Sequence, residues 1–265
     1  MRTIAFFIMG LFLLTAFTLK EARTTKESSF RDIQPQAFQP GERLRYRLHY
    51  GIVDAGEAIL EVKKSEKTVK GREVWHVKGT GRTLGAFNMF YKVRDVYESY
   101  IDAKGVFPWV FVRRVDEGGY KINQDYTFYQ HKNKVNNGDG KEFSVPSHVQ
   151  DMISSFYYAR TLDFQNAKVG DIFTINVFLD DEIYPMKIKY TGKETLRLRK
   201  GKFNCMKFNP VVQEGRVFNS DEDLEVWITD DQNKIPVLGK AKIKVGSIKM
   251  QLVEWDGLSH PLNMD

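Results

Sequence analysis

Cysteine is almost absent. Cys205 is the only one in 265 residues, so no intrachain disulfide can form and stability must come from a hydrophobic core. It stands in Phe203-Asn204-Cys205-Met206-Lys207-Phe208, the setting of a buried small hydrophobe and not of an activated thiolate. Metal-ligand patterns are missing too. His49, His76, His131, His148 and His260 are scattered, with no HExxH pair. The acidic clusters Asp180-Asp181-Glu182, Asp221-Glu222-Asp223 and Asp230-Asp231 lack the glycine and terminal glutamate of a calcium loop. They read as solvated turns in preference to a weak calcium site, and no metal or cofactor is expected. Neither GxSxG nor SxxK occurs. Ser154-Ser155 falls inside an expected helix, which lacks the sharp turn that exposes a nucleophilic serine. Gly79, Gly81 and Gly85 do not spell GxGxxG and no βαβ unit surrounds them. They are expected at bulges or bends that curl a sheet. Paired carboxylates for glycoside cleavage stay open, because their separation is spatial. Nor is there any fixed-period repeat, helical basic stripe or nucleic-acid motif.

What is present begins with a targeting segment. Arg2 precedes a nearly all-apolar stretch from Ile4 to Phe17, shorter than the ~20 residues of a spanning helix. Cleavage is expected after Thr18, with a retained N-terminal anchor in the inner membrane as the alternative. No cysteine follows the apolar stretch, so acylation there is excluded. Residues 19–40 are polar and hold Pro35 and Pro40; they read as a linker without its own core. A single β-rich domain is expected over 41–257, and a tail over 258–265. Net charge is +6, but Lys240, Lys242, Lys244 and Lys249 lie along strands, which is the pattern of a solvated sheet face.

Alternation carries the fold assignment. Leu44, Tyr46, Leu48 and Tyr50 alternate with Arg43, Arg45, Arg47 and His49, the period of a half-buried strand. Similar stretches recur every eight to twelve residues, separated by Gly, Asn and Asp turns. The stretch from Leu224 to Trp255 reads as a three-stranded meander with Pro236 at a strand start. One helix interrupts the pattern over about 148–162, with Ser147 and Gln150 as a capping box. Val149, Met152, Ile153, Phe156, Tyr157 and Arg160 follow its spacing. The expected fold is all-β and mainly antiparallel: a strongly curved sheet or partly closed barrel of more than ten strands, with one packed α-helix.

Several stretches resemble an exported bacterial family known only as domain of unknown function 3108. They are Gly41-Glu42-Arg43-Leu44-Arg45-Tyr46 through Gly51-Ile52-Val53-Asp54-Ala55-Gly56-Glu57-Ala58, then Ser154-Ser155-Phe156-Tyr157-Tyr158-Ala159-Arg160, then Gly201-Lys202-Phe203-Asn204-Cys205, and Val226-Trp227-Ile228-Thr229-Asp230-Asp231 through Ile235-Pro236-Val237. The version here is similar to the Bacteroidetes type. The resemblance implies export and a β fold, and hands over no catalytic residue. A curved sheet that covers a helix is also similar, by analogy of fold alone, to periplasmic lipoprotein carriers.

The functional expectation follows from aromatics. Phe, Trp and Tyr make up 13% of the chain, enough either to fill a core or to line a concave pocket. The favoured reading is a non-catalytic binding or carrier protein of the Gram-negative periplasm, with a lipid or other apolar envelope ligand. Tyr157, Arg160 and Trp227 are the candidate ligand-binding residues, as pocket wall and polar gate. One alternative is an envelope structural protein that recruits a protein partner through exposed strand edges. Another is a hydrolase acting on an envelope polymer. No nucleic-acid partner is expected.

Overall fold

The computed structural model describes residues 30–211, 224–242 and 246–265. The targeting segment, the Asp221-Glu222-Asp223 cluster and Ile243, Lys244 and Val245 lie outside these residues. Strands β1 (Arg43–Tyr50), β2 (Val53–Val69) and β3 (Arg72–Thr83) are followed by a short helix, α1 (Phe87–Phe90). Then come β4 (Arg94–Asp102), β5 (Pro108–Glu117), β6 (Tyr120–Tyr129), β7 (Lys134–Asn136) and β8 (Glu142–Ser144). Helix α2 (Met152–Ala159) precedes β9 (Ile172–Leu179), β10 (Glu182–Leu198) and β11 (Gly201–Val211). The chain closes with β12 (Leu224–Thr229), β13 (Pro236–Lys242) and β14 (Ser247–Asp256).

All fourteen strands lie in one sheet, ordered β8-β7-β6-β5-β4-β3-β2-β1-β14-β13-β12-β11-β10-β9. Strands consecutive in the chain pair with each other, except β8 with β9, and β1 pairs antiparallel with β14. The first and last strands therefore meet in the middle, and the free edges β8 and β9 are consecutive in the chain. The sheet does not close. The link between its edges, residues 145–171, carries α2. Gln150 in that link pairs with β9: its N–H donates to Asn176 O at 2.9 Å and its carbonyl accepts from Phe178 N–H at 2.8 Å.

A single eight-residue helix touches both β4, the fifth strand from one edge, and β9, the strand at the other edge. Only a sheet curled around the helix can offer both. Alternation supplies the apolar inner side: Leu44 and Tyr46 of β1 are fully buried beneath it. The opposite face of β1 carries cross-strand ion pairs, with Arg45 between Glu57 and Glu254. This is the expected all-β architecture, open and not closed.

Several boundaries differ from the sequence reading. The helix starts at Met152, not His148, because the backbone of Gln150 is already paired with β9. Asp151 is the N-cap instead of Ser147: its carboxylate accepts from Ser154 N–H at 2.7 Å, while Ser154 Oγ accepts from Asp151 N–H at 2.8 Å. Met89 and Phe90, expected to open an extended stretch running to Ile101, instead end α1 and are exposed; the strand begins at Arg94. Residues 30–40 are packed, unlike a free linker. Phe38 is buried with its ring 4.6 Å from Tyr157, and Arg31 donates from Nε to Gly105 O and from Nη2 to Val106 O, each at 2.7 Å. Residues 258–265 are likewise held, since Asp265 O accepts from Lys202 N–H at 3.0 Å and Leu262 and Met264 join the core.

Two glycines of β3 also have another purpose. Gly79 and Gly81 sit in regular register with Leu60 and Ala58, without a bulge. A Cβ on Gly79 would lie 3.2 Å from both Ile153 Cδ1 and Leu60 Cδ2. The glycine leaves room for α2 above the sheet.

Candidate functional site

Helix α2 presents two stripes. Ile153 and Tyr157, four residues apart, turn into the aromatic core with Phe38 and Phe178. Met152, Ser155, Phe156 and Ala159 make the second stripe and border an apolar hollow of about 310 Å³. Its far wall is built by strand alternation: Met186 and Ile188 on β10, Phe208 on β11, and Val226 and Ile228 on β12. A second apolar hollow of about 320 Å³ lies on the other flank, against Tyr46, Leu60, Gly79, Gly81, Tyr97 and Met250. Met152 and Phe156 border both, so the helix forms a ridge between two greasy troughs. Both are within the size range of small-molecule sites. A third hollow of about 460 Å³ is the more polar, with Gln34, Gln36, Gln165, Asp231 and Lys234 on its walls; it shares Arg160, Phe164 and Lys234 with the first.

Of the three expected ligand residues, Tyr157 and Arg160 come together and Trp227 does not join them. Arg160 is 2% exposed. Its guanidinium grips Glu42 at both oxygens, each at 2.7 Å, and donates to Ala37 O at 2.7 Å and Asn233 O at 2.9 Å. Burial opposes the Arg160 charge, but the Glu42 carboxylate outweighs it and holds its pKa above the ordinary value. Phe38 and Tyr157 flank the guanidinium at 5.3 Å. Arg160 thus touches the hollows with a charge already fully paired, and a polar gate needs another cation. Tyr157 is fully buried. Burial raises the pKa of its phenol well above the ordinary value, and neighbouring Glu42 adds to this. Its hydroxyl lies near that carboxylate without a hydrogen bond of good geometry among the described residues. It is a core residue behind the helix, not a wall. Trp227 sits between Val226 and Ile228 on β12, so strand parity turns it to the other face; its Nε1–H donates to Glu194 at 2.8 Å.

Other chemistry-bearing residues are engaged structurally. Ser155 Oγ donates to Met152 O at 2.9 Å, one turn back along its own helix. Cys205 is buried, and burial pushes its thiol up to about 12. The Asp180-Asp181 turn, expected to be solvated, is partly a clasp. Asp180 pairs with Arg113 at 2.8 Å, and Asp181 accepts from Asn137 Nδ2 at 2.8 Å. Among the described residues, no group of three or more His, Cys, Asp or Glu side chains could hold a metal ion. The residues missed by sequence reasoning are the apolar walls, above all Met152, Phe156, Phe208 and Val226. Their signal was parity: each lies on the inner side of an alternating or helical pattern.

These features define a class, a barrel-like curved antiparallel sheet that stays open around a helix flanked by apolar hollows. The chain belongs to the family described as Protein of unknown function (DUF3108), whose model matches residues 45–253. No curated protein matches the sequence. Among solved structures, the chain is similar to a beta-barrel-like protein of domain of unknown function DUF1849 from Brucella abortus. The identity is 11%, over 86% of this chain and 99% of that one, with a TM-score of 0.54. A candidate lipoprotein from Parabacteroides distasonis and a candidate exported protein with a YmcC-like fold from Bacteroides fragilis are more distant. Each is 11% identical over 86% of this chain and 100% of its own, with a TM-score of 0.34. Among the described residues no helix is long and apolar enough to cross a membrane.

Proposed function

We propose that this protein is a non-catalytic carrier of the Gram-negative periplasm that binds an apolar, envelope-derived ligand. The observation that carries the reading is the ridge of Met152 and Phe156 between two apolar hollows on the inner side of the sheet. A monomer's core is normally packed without such voids. Ile153 belongs to the aromatic core and also borders the second hollow, where Leu60 and Tyr97 pack on that core, so the hollows lie directly against a well-buried wall. Acyl chains suit such walls, because they demand no hydrogen bonds and gain from leaving water. The test is mass spectrometry of an organic extract of the purified protein, alongside titration with a fluorescent acyl probe. A co-purifying lipid and saturable probe binding are expected. An empty extract together with unsaturable probe binding rejects a carrier.

A second reading, an envelope interaction protein, is favoured by one separate observation. Ile52, Met89 and Phe90 are each more than four-fifths exposed at one end of the sheet, beside the contact of Tyr50 with Phe87. Exposed large apolar groups in one place mark interaction surfaces. Strand edges are poorer bait than expected, since β8 has three residues and Gln150 occupies part of the β9 edge. Under this reading, Phe90→Ser abolishes capture of a protein partner and leaves probe binding unchanged.

A further inference from the structure

We infer that the ligand bears a negatively charged head group on its acyl chain, and that Lys234 receives it. This rests on the carrier reading above and adds the chemistry of the head.

Lys234 borders both the apolar hollow beneath α2 and the polar hollow beside it, so it stands where a chain would end and a head would begin. The other cation at that boundary, Arg160, is spent on Glu42. Lys234 is not spent. Its Nζ donates to Arg160 O at 3.3 Å, and no carboxylate among the described residues pairs with it within 4.0 Å. Asp163 and Asp231 attract it from farther away and Arg160 repels it. Asp163 is exposed, accepts from Gln165 N–H at 2.9 Å and makes no ion pair with Lys234, and the two aspartates of the adjoining turn are engaged elsewhere. Asp231 Oδ1 accepts from the backbone N–H of Asn233 and Lys234, and Oδ2 from Asn263 N–H. Asp230 is paired with Lys193 at 2.6 Å.

Two further features agree. The Lys234 backbone has φ +49°, the left-handed region where glycine or asparagine is cheaper. Lysine is therefore held in a conformation it does not favour, at the mouth of a hollow. Its ammonium is half-buried, and burial lowers its pKa. A half-buried cation that touches one carbonyl and lies 6.0 Å from the Phe164 ring, with no carboxylate beside it, gains from a bound anion. Fatty-acid carboxylate and phospholipid phosphate share this chemistry, and the experiment separates them.

The experiment is displacement of a fluorescent acyl probe from the full mature chain by palmitic acid, methyl palmitate and lysophosphatidic acid. In the wild-type protein at least one anionic competitor is expected to bind about tenfold more tightly than the neutral ester. Palmitic acid alone in that position assigns a carboxylate head, and lysophosphatidic acid alone a phosphate head. Lys234→Met removes the preference, bringing acid and ester to the same affinity, and Lys234→Arg restores it. Lys234→Gln serves as a second neutral variant should the methionine protein fail to fold. Equal affinity for acid and ester in the wild-type protein, or a preference that survives both neutral variants, overturns the assignment and leaves the carrier reading intact. Failure of all three competitors to displace the probe overturns the carrier reading itself.

Discussion

At the residue scale, the Arg160–Glu42 pair decides more than any other contact. Both side chains are buried, so each depends on the other for its solvation. Removing one partner strands a charge in the core, which costs about 3–5 kcal/mol, whereas replacing both with apolar groups is often neutral. Arg160→Met is therefore expected to lower urea-unfolding stability by about 3–5 kcal/mol. The double variant Arg160→Met with Glu42→Leu should recover most of that loss. Full loss in the double variant would show that hydrogen bonds to Ala37 and Asn233 matter more than charge. Asp151 gives a second prediction. Burial pushes its carboxyl up to about 6, against the hydrogen bonds from Ser99 and Ser154 that pull it down. The folded chain holds this proton more tightly than the unfolded chain, whose aspartate titrates near about 3.9. The stability it contributes is present at low pH and is lost as pH rises between about 4 and 6. Asp151→Asn keeps an oxygen for the Ser154 N–H and cannot ionise. Urea melts across that window should show the variant gaining on the wild type by about 2–3 kcal/mol. Parallel profiles would mean that Asp151 does not carry the slope.

At the element scale, the packing of β3 under α2 yields a size test of the hollow. A Cβ on Gly81 would find only Asp95 Cβ, at 3.9 Å, while one on Gly79 would press on Ile153. Gly81→Leu is therefore expected to fill the hollow, with stability changed by less than about 1.5 kcal/mol and acyl-probe affinity reduced about tenfold. Gly79→Leu should instead displace the helix and cost about 1–3 kcal/mol. Unchanged probe affinity in the Gly81 variant would place the ligand in the trough of β10 to β12 alone. The same elements show what was legible in the sequence. Alternation revealed the strands of β1 and of the C-terminal meander, since side-chain period needs no partner to be read. The helix start was not legible, because it is set by Gln150 pairing with Asn176 and Phe178 across the seam. Trp227 drew attention as an aromatic, yet its parity on β12 placed it opposite Val226 and Ile228. The role of Arg160 lay in Glu42, 118 residues away, and no local pattern carries such a distance. The polarity of residues 30–40 hid two rings, Phe38 packed on Tyr157 and Trp75 and Phe30 packed on Phe107 and Trp109.

At the scale of the whole molecule, the sheet is a meander whose two ends in sequence are joined at its centre and whose two edges face a seam. Nothing in the hydrogen-bond ladder holds those edges together, so the seam depends on side chains and on the link that carries α2. Phe143 on β8 and Phe178 on β9 bring their rings to 5.3 Å across the seam, and the β9–β10 turn supplies the polar tie. Asp180 reaches Arg113 on β5, and Asp181 accepts from Asn137 and lies 3.3 Å from the Tyr126 hydroxyl of β6. Residues from the two halves of the sheet thereby meet across the gap. If the hollows admit a ligand by opening at this seam, loosening the tie should act on kinetics before it acts on stability. Asp181→Ala is expected to speed amide hydrogen exchange in β9 and in residues 149–151 while leaving β1 and β14 at wild-type protection. Probe association and dissociation should accelerate together, so that affinity changes little. Exchange that rises equally in β1 would mean the turn stabilises the whole sheet. Unchanged probe kinetics beside a loosened β9 would mean that ligands enter elsewhere, with the mouth at Lys234 as the next route to test.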